Sequence, residues 1–248
     1  MSDNKKYDYI SNYSDGLACV VRNRKHGFID ENGNEVIPLI FDLALDFQNG
    51  LAKVTINGKW GFIDKTGRKI INPIYDSLSY FMEGFTVAEL NNKFGLINKD
   101  GKEVIPLIYE YANEYSEGLV GMRLNEKWGF LDSAGKVVIP FNYDDAGLFS
   151  EGLANVKLDG KNGFIDKIGK VVIRLIYDFA GAFSEGLACV ELDGEYGFID
   201  KAGKEVIPLM YDNAQSFSGG KARVRLDGEW LTIDKNGNDC ALNEAKNE

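Results

Sequence analysis

The chain has 248 residues, 44% of them hydrophobic and 27% charged, a balance that suits a folded globular protein and excludes a disordered one. Its net charge of −10 argues against binding nucleic acid or an anionic membrane surface, because phosphate binding needs a basic face. No apolar run is long enough to insert into a membrane as a helix, and no apolar stretch of signal-peptide type follows the polar start Met1–Lys6; a cytoplasmic location is the expectation. Cys19, Cys189 and Cys240 are an odd number, widely spaced, and read as reduced thiols rather than a disulfide framework.

The chain is self-similar from end to end. Tyr7-Asp8, Phe41-Asp42, Tyr75-Asp76, Tyr109-Glu110, Tyr143-Asp144, Tyr177-Asp178 and Tyr211-Asp212 recur every 34 residues. This predicts a single domain of seven repeats, 7–40, 41–74, 75–108, 109–142, 143–176, 177–210 and 211–244, between a leader (1–6) and a tail (245–248). Positions below are counted from 1 to 34 from the first residue of each pair.

In chain order, each repeat opens with an irregular segment, such as Tyr143 to Gly152, and continues as three short strands. Leu153-Ala154-Asn155-Val156-Lys157-Leu158 alternates as a strand, Asp159-Gly160 marks a hairpin, and Gly163-Phe164-Ile165-Asp166 forms the second strand. A turn at Lys167–Lys170 leads to Val171-Val172-Ile173. No uninterrupted segment has the length of a helix. Glycine is invariant at positions 10 and 27, where a turn needs positive φ. Pro38, Pro73, Pro106, Pro140 and Pro208 follow the third run and are expected to end it. The expected fold is all-β: seven tandem three-stranded units in an open, superhelical solenoid. The alternative is a closed seven-bladed β-propeller. Blades of about 40 residues are usual in propellers, and the polar final run Asp239–Glu244 reads as the cap of an open stack. A compact chain of this length would have a radius of gyration of about 18 Å, and a larger value would exclude the ring.

The runs Lys59-Trp60-Gly61-Phe62-Ile63-Asp64 and Lys127-Trp128-Gly129-Phe130-Leu131-Asp132 resemble the signature of bacterial WG (KWG) repeats, as do the flanking Gly-Leu-Ala-x-Val and Gly-Lys-x-Val-Ile-Pro elements. The likeness spans all seven copies. It departs at the Trp slot, occupied by His26, Trp60, Phe94, Trp128, Asn162, Tyr196 and Trp230, and the last repeat has Leu231 and Thr232 for the Gly and Phe. The resemblance implies a bacterial β-repeat protein and no particular reaction.

No catalytic constellation, metal-ligand spacing or nucleotide-binding loop is visible, so the chain is read as a non-enzyme without metal or cofactor. His26 is read as filling an aromatic slot. The aspartates at position 24 are read as turn residues, despite a faint likeness of Asp30–Gly33 and Asp234–Gly237 to calcium loops. Most aromatics fall at positions 1, 7, 20 and 22 and are expected to be core, because each repeat must bury the same face on its neighbour. Three positions vary and are expected to be exposed: 3 (Tyr9, Tyr111, Phe179 among others), 13 (Cys19 to Arg223) and 15 (including Arg123, Lys157 and Arg225). Tyr9, Tyr111, Phe179, Arg123, Lys157 and Arg225 are the candidate binding residues, for a protein or peptide partner. A glycan or cell-envelope ligand is the alternative, and an enzyme with a site in a propeller channel is a weaker one.

Overall fold

Turn chemistry and period-2 alternation set the architecture. The structure, a computed structural model, describes residues 6–241; the remainder of the expected leader and tail, and residues 242–244 of repeat 7, lie outside them. The chain is all-β, in seven small antiparallel sheets, one per repeat. It divides between Ile108 and Tyr109 into two blocks, repeats 1–3 and repeats 4–7.

Each sheet is a meander. In repeat 5 the strands are Asp145–Ala146, Leu153–Leu158, Lys161–Asp166 and Val171–Tyr177, paired in that order. The three expected strands are therefore present, and the irregular segment supplies a fourth, two residues long. It is joined by a tight turn in which Ser150 and Leu153 exchange backbone hydrogen bonds. The hairpin at Asp159-Gly160 has φ of 50° and 79° there, the two left-handed residues of a turn whose twist matches that of the flanking strands.

The prolines do not end strands. Pro38 lies inside Glu35–Phe41 and Pro106 inside Glu103–Tyr109. These are outermost strands, where a missing N–H deprives no neighbour of a hydrogen bond. The outer strand also bulges: Phe164 faces Ile173, but Asn162 faces Tyr177. The bulge drives the outer backbone onto Gly163, whose Cβ, if present, would sit 2.6 Å from the carbonyl oxygens of Ile173 and Arg174. The same approach recurs at Gly27, Gly61, Gly95, Gly129 and Gly197. Repeat 7 carries Leu231 instead, and among the described residues its sheet has three strands and an Ile233–Asp239 bridge. The Gly of the Trp-Gly pair is thus required by the bulged strand beside it.

The core lies between sheets rather than within one. Phe164, Ile173 and Tyr177 pack with Ala180, Phe183, Ala188 and Val190. At each junction within a block the position-22 aromatic meets the position-7 aromatic of the next repeat: Phe28–Phe47, Phe62–Phe81, Phe130–Phe149, Phe164–Phe183 and Phe198–Phe217, with ring centroids 4.7–4.9 Å apart. The Trp slot departs from the core expectation. Trp128 is buried, Trp60, Phe94 and Tyr196 are half-buried, and Trp230 is 43% exposed. Tyr13, at position 7 of the first repeat, is exposed as well.

Polar side chains tie successive repeats together. Ser14, Ser116, Ser150 and Ser184 donate to the carbonyls of Phe47, Phe149, Phe183 and Phe217. Position 13, expected to be an exposed variable site, is instead a donor slot facing the next repeat. Cys19, Lys53, Asn155 and Cys189 donate to the carbonyls of Ala44, Leu78, Ala180 and Ala214. Where position 13 is Gly121, Asn113 occupies the vacated space and supplies the bond, to Ala146. In those four repeats the varied chemistry reflects interchangeable donors rather than solvent, whereas Val87 is buried without a side-chain donor and Arg223 is exposed as expected.

Candidate functional site

Position 3 is exposed in all seven repeats, as its variability predicted. The register explains why positions 3 and 15 vary together. Position 3 pairs with position 15 across the first two strands, and position 15 with the Trp slot across the hairpin. In repeat 4 this places Tyr111 opposite Arg123, and Arg123 opposite Trp128, which in turn faces Tyr143. The hairpin turn fixes that register, so one row of side chains crosses the sheet at its turn end.

The row in repeat 4 forms one wall of an open groove of about 550 Å³. Tyr111 is 54% exposed and its ring meets that of Trp128 edge-on at 6.0 Å. Arg123 lies half-buried in the row, and its Nε is buried with no hydrogen-bond acceptor among the described residues. Lys157 closes the groove from repeat 5, beside Asp144, Asp145 and Gly160. The two aspartates are already engaged. Asp144 pairs with Lys127 and accepts the Asp159 N–H, contacts that hold its carboxyl below the usual carboxylate range. Asp145 accepts the Ala146 N–H. Arg123 and Lys157 make no ion pair among the described residues, although the Lys157 charge also lowers Asp144, and the groove presents both cations beside an aromatic surface.

Tyr111, Arg123 and Lys157 therefore converge. The other three nominated residues do not join them. Phe179 is exposed in its own row, opposite Glu191 and against Tyr196 at 6.2 Å. Arg225 turns its Nε onto the Gly228 carbonyl of its own hairpin. Tyr9, opposite Val21, belongs to the first block. Sequence reading missed Trp128 as a groove wall by assigning the whole Trp slot to the core.

His26 does fill the aromatic slot, and it has a partner that the sequence did not disclose. The Cys19 thiol lies 3.6 Å from its Nδ1. Burial pushes the thiol up to about 11 and the imidazole below its ordinary value, so both are neutral at pH 7. That is the reverse of an activated nucleophile, which needs a thiolate. Burial likewise drives Cys189 to about 12. In native protein at pH 8, a thiol reagent is expected to modify Cys240 within minutes, while Cys19 and Cys189 react only after denaturant is added. Rapid modification of three thiols under native conditions would contradict this. The position-24 aspartates serve their turns: Asp30 Oδ1 accepts the N–H groups of Asn32 and Asn34, and Asp234 repeats this with Asn236 and Asn238.

The WG containing repeat matches residues 4–25, 27–60, 60–94, 94–128, 128–161, 163–196 and 196–230. The chain belongs to the WG-repeat family. The family's copies are counted in a different phase, with most boundaries at the Trp slot. Among solved structures, the WG-repeat chain is similar to a eukaryotic initiation factor, with a TM-score of 0.58 at 11% identity over 88% of this chain and 70% of that one. It is also similar to Hsv2p of Kluyveromyces lactis, with a TM-score of 0.50 at 9% identity over 91% and 92%. These likenesses concern the fold alone. No curated protein matches the chain.

Proposed function

We propose that this WG-repeat protein is a non-enzymatic scaffold that binds an acidic segment of a protein partner in the groove between repeats 4 and 5. The observation that carries the reading is Arg123: a half-buried guanidinium lying between Tyr111 and Trp128, without an ion pair among the described residues, beside the cation of Lys157. A partner carboxylate would pair with the accessible part of that guanidinium through a charge-assisted bond. Exposed aromatic and arginine side chains grouped in one place are also the residue types that dominate binding energy at protein interfaces. A glycan ligand draws less support, because sugars stack on open indole faces. Trp128 is only 7% exposed, the Lys53 ammonium lies 4.1 Å from the Trp60 ring centroid, and the exposed Trp230 has the Arg223 guanidinium 4.9 Å from its centroid.

The test is affinity capture from the source organism's soluble and envelope fractions, comparing the wild type with Tyr111→Ala/Arg123→Ala and with Tyr9→Ala. A soluble protein enriched by the wild type and by Tyr9→Ala should fall about tenfold or more with the double variant, since hot-spot residues each contribute about 2 kcal/mol or more. Undiminished capture by the double variant, or envelope retention that a sugar competes away, would overturn the reading.

A further inference from the structure

One junction of the first block departs from the rule the others follow. Elsewhere within the blocks, position 9 is an acid that accepts the backbone N–H at position 10 of the next repeat. Asp15 binds the Gly50 N–H at 2.7 Å, and Glu117, Glu151 and Glu185 bind those of Gly152, Gly186 and Gly220. The lysine at position 25 of that next repeat closes the same corner. Lys167, Lys201 and Lys235 pair with the three glutamates at 2.9–3.0 Å, and Lys65 donates to the Asp15 carbonyl. At the three glutamate corners a carboxylate is thus held between one backbone N–H and one ammonium, while at Asp15 the ammonium rests on the main-chain carbonyl.

Between repeats 2 and 3 the acid is Asn49, while Gly84 and Lys99 keep the two donor positions. A neutral amide cannot supply the charge. At this corner lies a cavity of about 300 Å³, with Asn49, Gly84 and Lys99 in its lining. Its apolar wall is the Phe62–Phe81 pair, rings 4.8 Å apart, with the exposed Tyr80 beside it. Lys53 is held at the rim by the Leu78 carbonyl and the Trp60 ring. Of the two acids in the lining, Asp46 accepts the Ser11 hydroxyl, and Glu83 sits at position 9 of repeat 3, one junction further on.

We infer that this cavity binds an apolar carboxylate, its carboxyl seated between the Gly84 N–H and the Lys99 ammonium where the junctions of the second block place a glutamate, and its apolar body against Phe62 and Phe81. The donor set is one the fold already uses for carboxylates, and charge-assisted bonds of this kind are the strong ones. The volume is at the lower end of that of small-ligand sites, about 300–1,000 Å³, and suits an arylalkyl acid. The same chemistry exists as a free acid and as the α-carboxylate of a peptide ending in an aromatic residue.

The experiment titrates the full chain by amide NMR with hydrocinnamate, with its uncharged amide, and with a tripeptide ending in Phe whose C-terminus is free or amidated. Hydrocinnamate or the free tripeptide is expected to move the Gly84 amide resonance with a Kd of about 1 mM, as suits so small a ligand. Whichever of the two binds more tightly identifies the source of the carboxylate. The uncharged forms should bind at least tenfold more weakly. Asn49→Glu, which restores the internal carboxylate, should weaken binding at least tenfold while raising thermal stability. Lys99→Gln, at an exposed position, should weaken it several-fold. Absence of a Gly84 shift at ten times the expected Kd with both carboxylates, or equal binding by Asn49→Glu, would overturn the assignment.

Discussion

Replacing Gly163 with alanine is expected to destabilise the second block by about 3 kcal/mol, through overpacking against main-chain atoms that cannot rotate away. For a chain of this size that corresponds to a fall in Tm of about 6–12 °C. The new methyl group would sit 2.6 Å from the carbonyl oxygens of Ile173 and Arg174. The bulged strand Val171–Tyr177 would have to lift, and it contributes Ile173 and Tyr177 to the core shared with repeat 6. Thermal denaturation followed by circular dichroism measures the loss. Peptide-level hydrogen exchange should localise it to Val171–Tyr177 and to the Phe183 neighbourhood. A Gly163→Ala variant that melted within about 1 °C of wild type would mean that the outer strand does not hold its bulge.

This glycine also marks what a sequence can disclose. Period, hairpins and turn glycines are local properties, and they were legible: Asp159-Gly160 and the position-24 aspartates behave as their chemistry dictates. The outer-strand bulge was not legible, because it depends on pairing between strands. Proline was therefore read as a terminator when it lies within an edge strand. The first strand escaped notice because two residues carry no periodicity. Position 13 misled for a related reason. Cys19, Lys53, Asn155 and Cys189 share no polarity class, yet each supplies one donor to the same carbonyl of the next repeat.

The candidate site was half legible. Variability at positions 3 and 15 nominated Tyr111, Arg123 and Lys157, which line one groove, and the hairpin register could have added Trp128, since a two-residue turn fixes which residues face each other. Periodic occurrence pointed the other way and assigned the Trp slot to the core. Burial in that slot is graded, from Trp128 to Trp230, and position 3, which reaches the slot through Tyr111 and Phe179, holds six residue types across the seven repeats.

Acid should unfold this protein in two stages, and the sign follows from the carboxylates the repeats share. Asp42, Asp76, Asp144 and Asp178 pair with Lys25, Lys59, Lys127 and Lys161 of the preceding repeat and also accept a hairpin N–H. Glu151 and Glu185 are held by Lys201 and Lys235 together with glycine N–H groups, while Asp30 and Asp234 are held by asparagine side chains and turn amides. All eight titrate below their ordinary values of 3.8 and 4.5 in the folded state. A carboxyl depressed by folding contributes stability that is fully present above its unfolded value and is lost as pH falls through the folded one. Tm should therefore drop steeply below about pH 4.5. His26 adds a shallower, earlier decline. Burial lowers it from 6.5, so protons favour the unfolded chain as soon as pH drops below that value. His26→Trp, which restores the family residue in a half-buried slot, should abolish the decline between pH 6.5 and 5 and leave the steep phase unchanged. Added salt at about 1 M should soften the steep phase by screening the exposed lysine pairs, but not the part that comes from backbone N–H bonds. A single transition centred near pH 6, unaffected by the tryptophan variant, would show that groups other than these carboxylates govern acid stability.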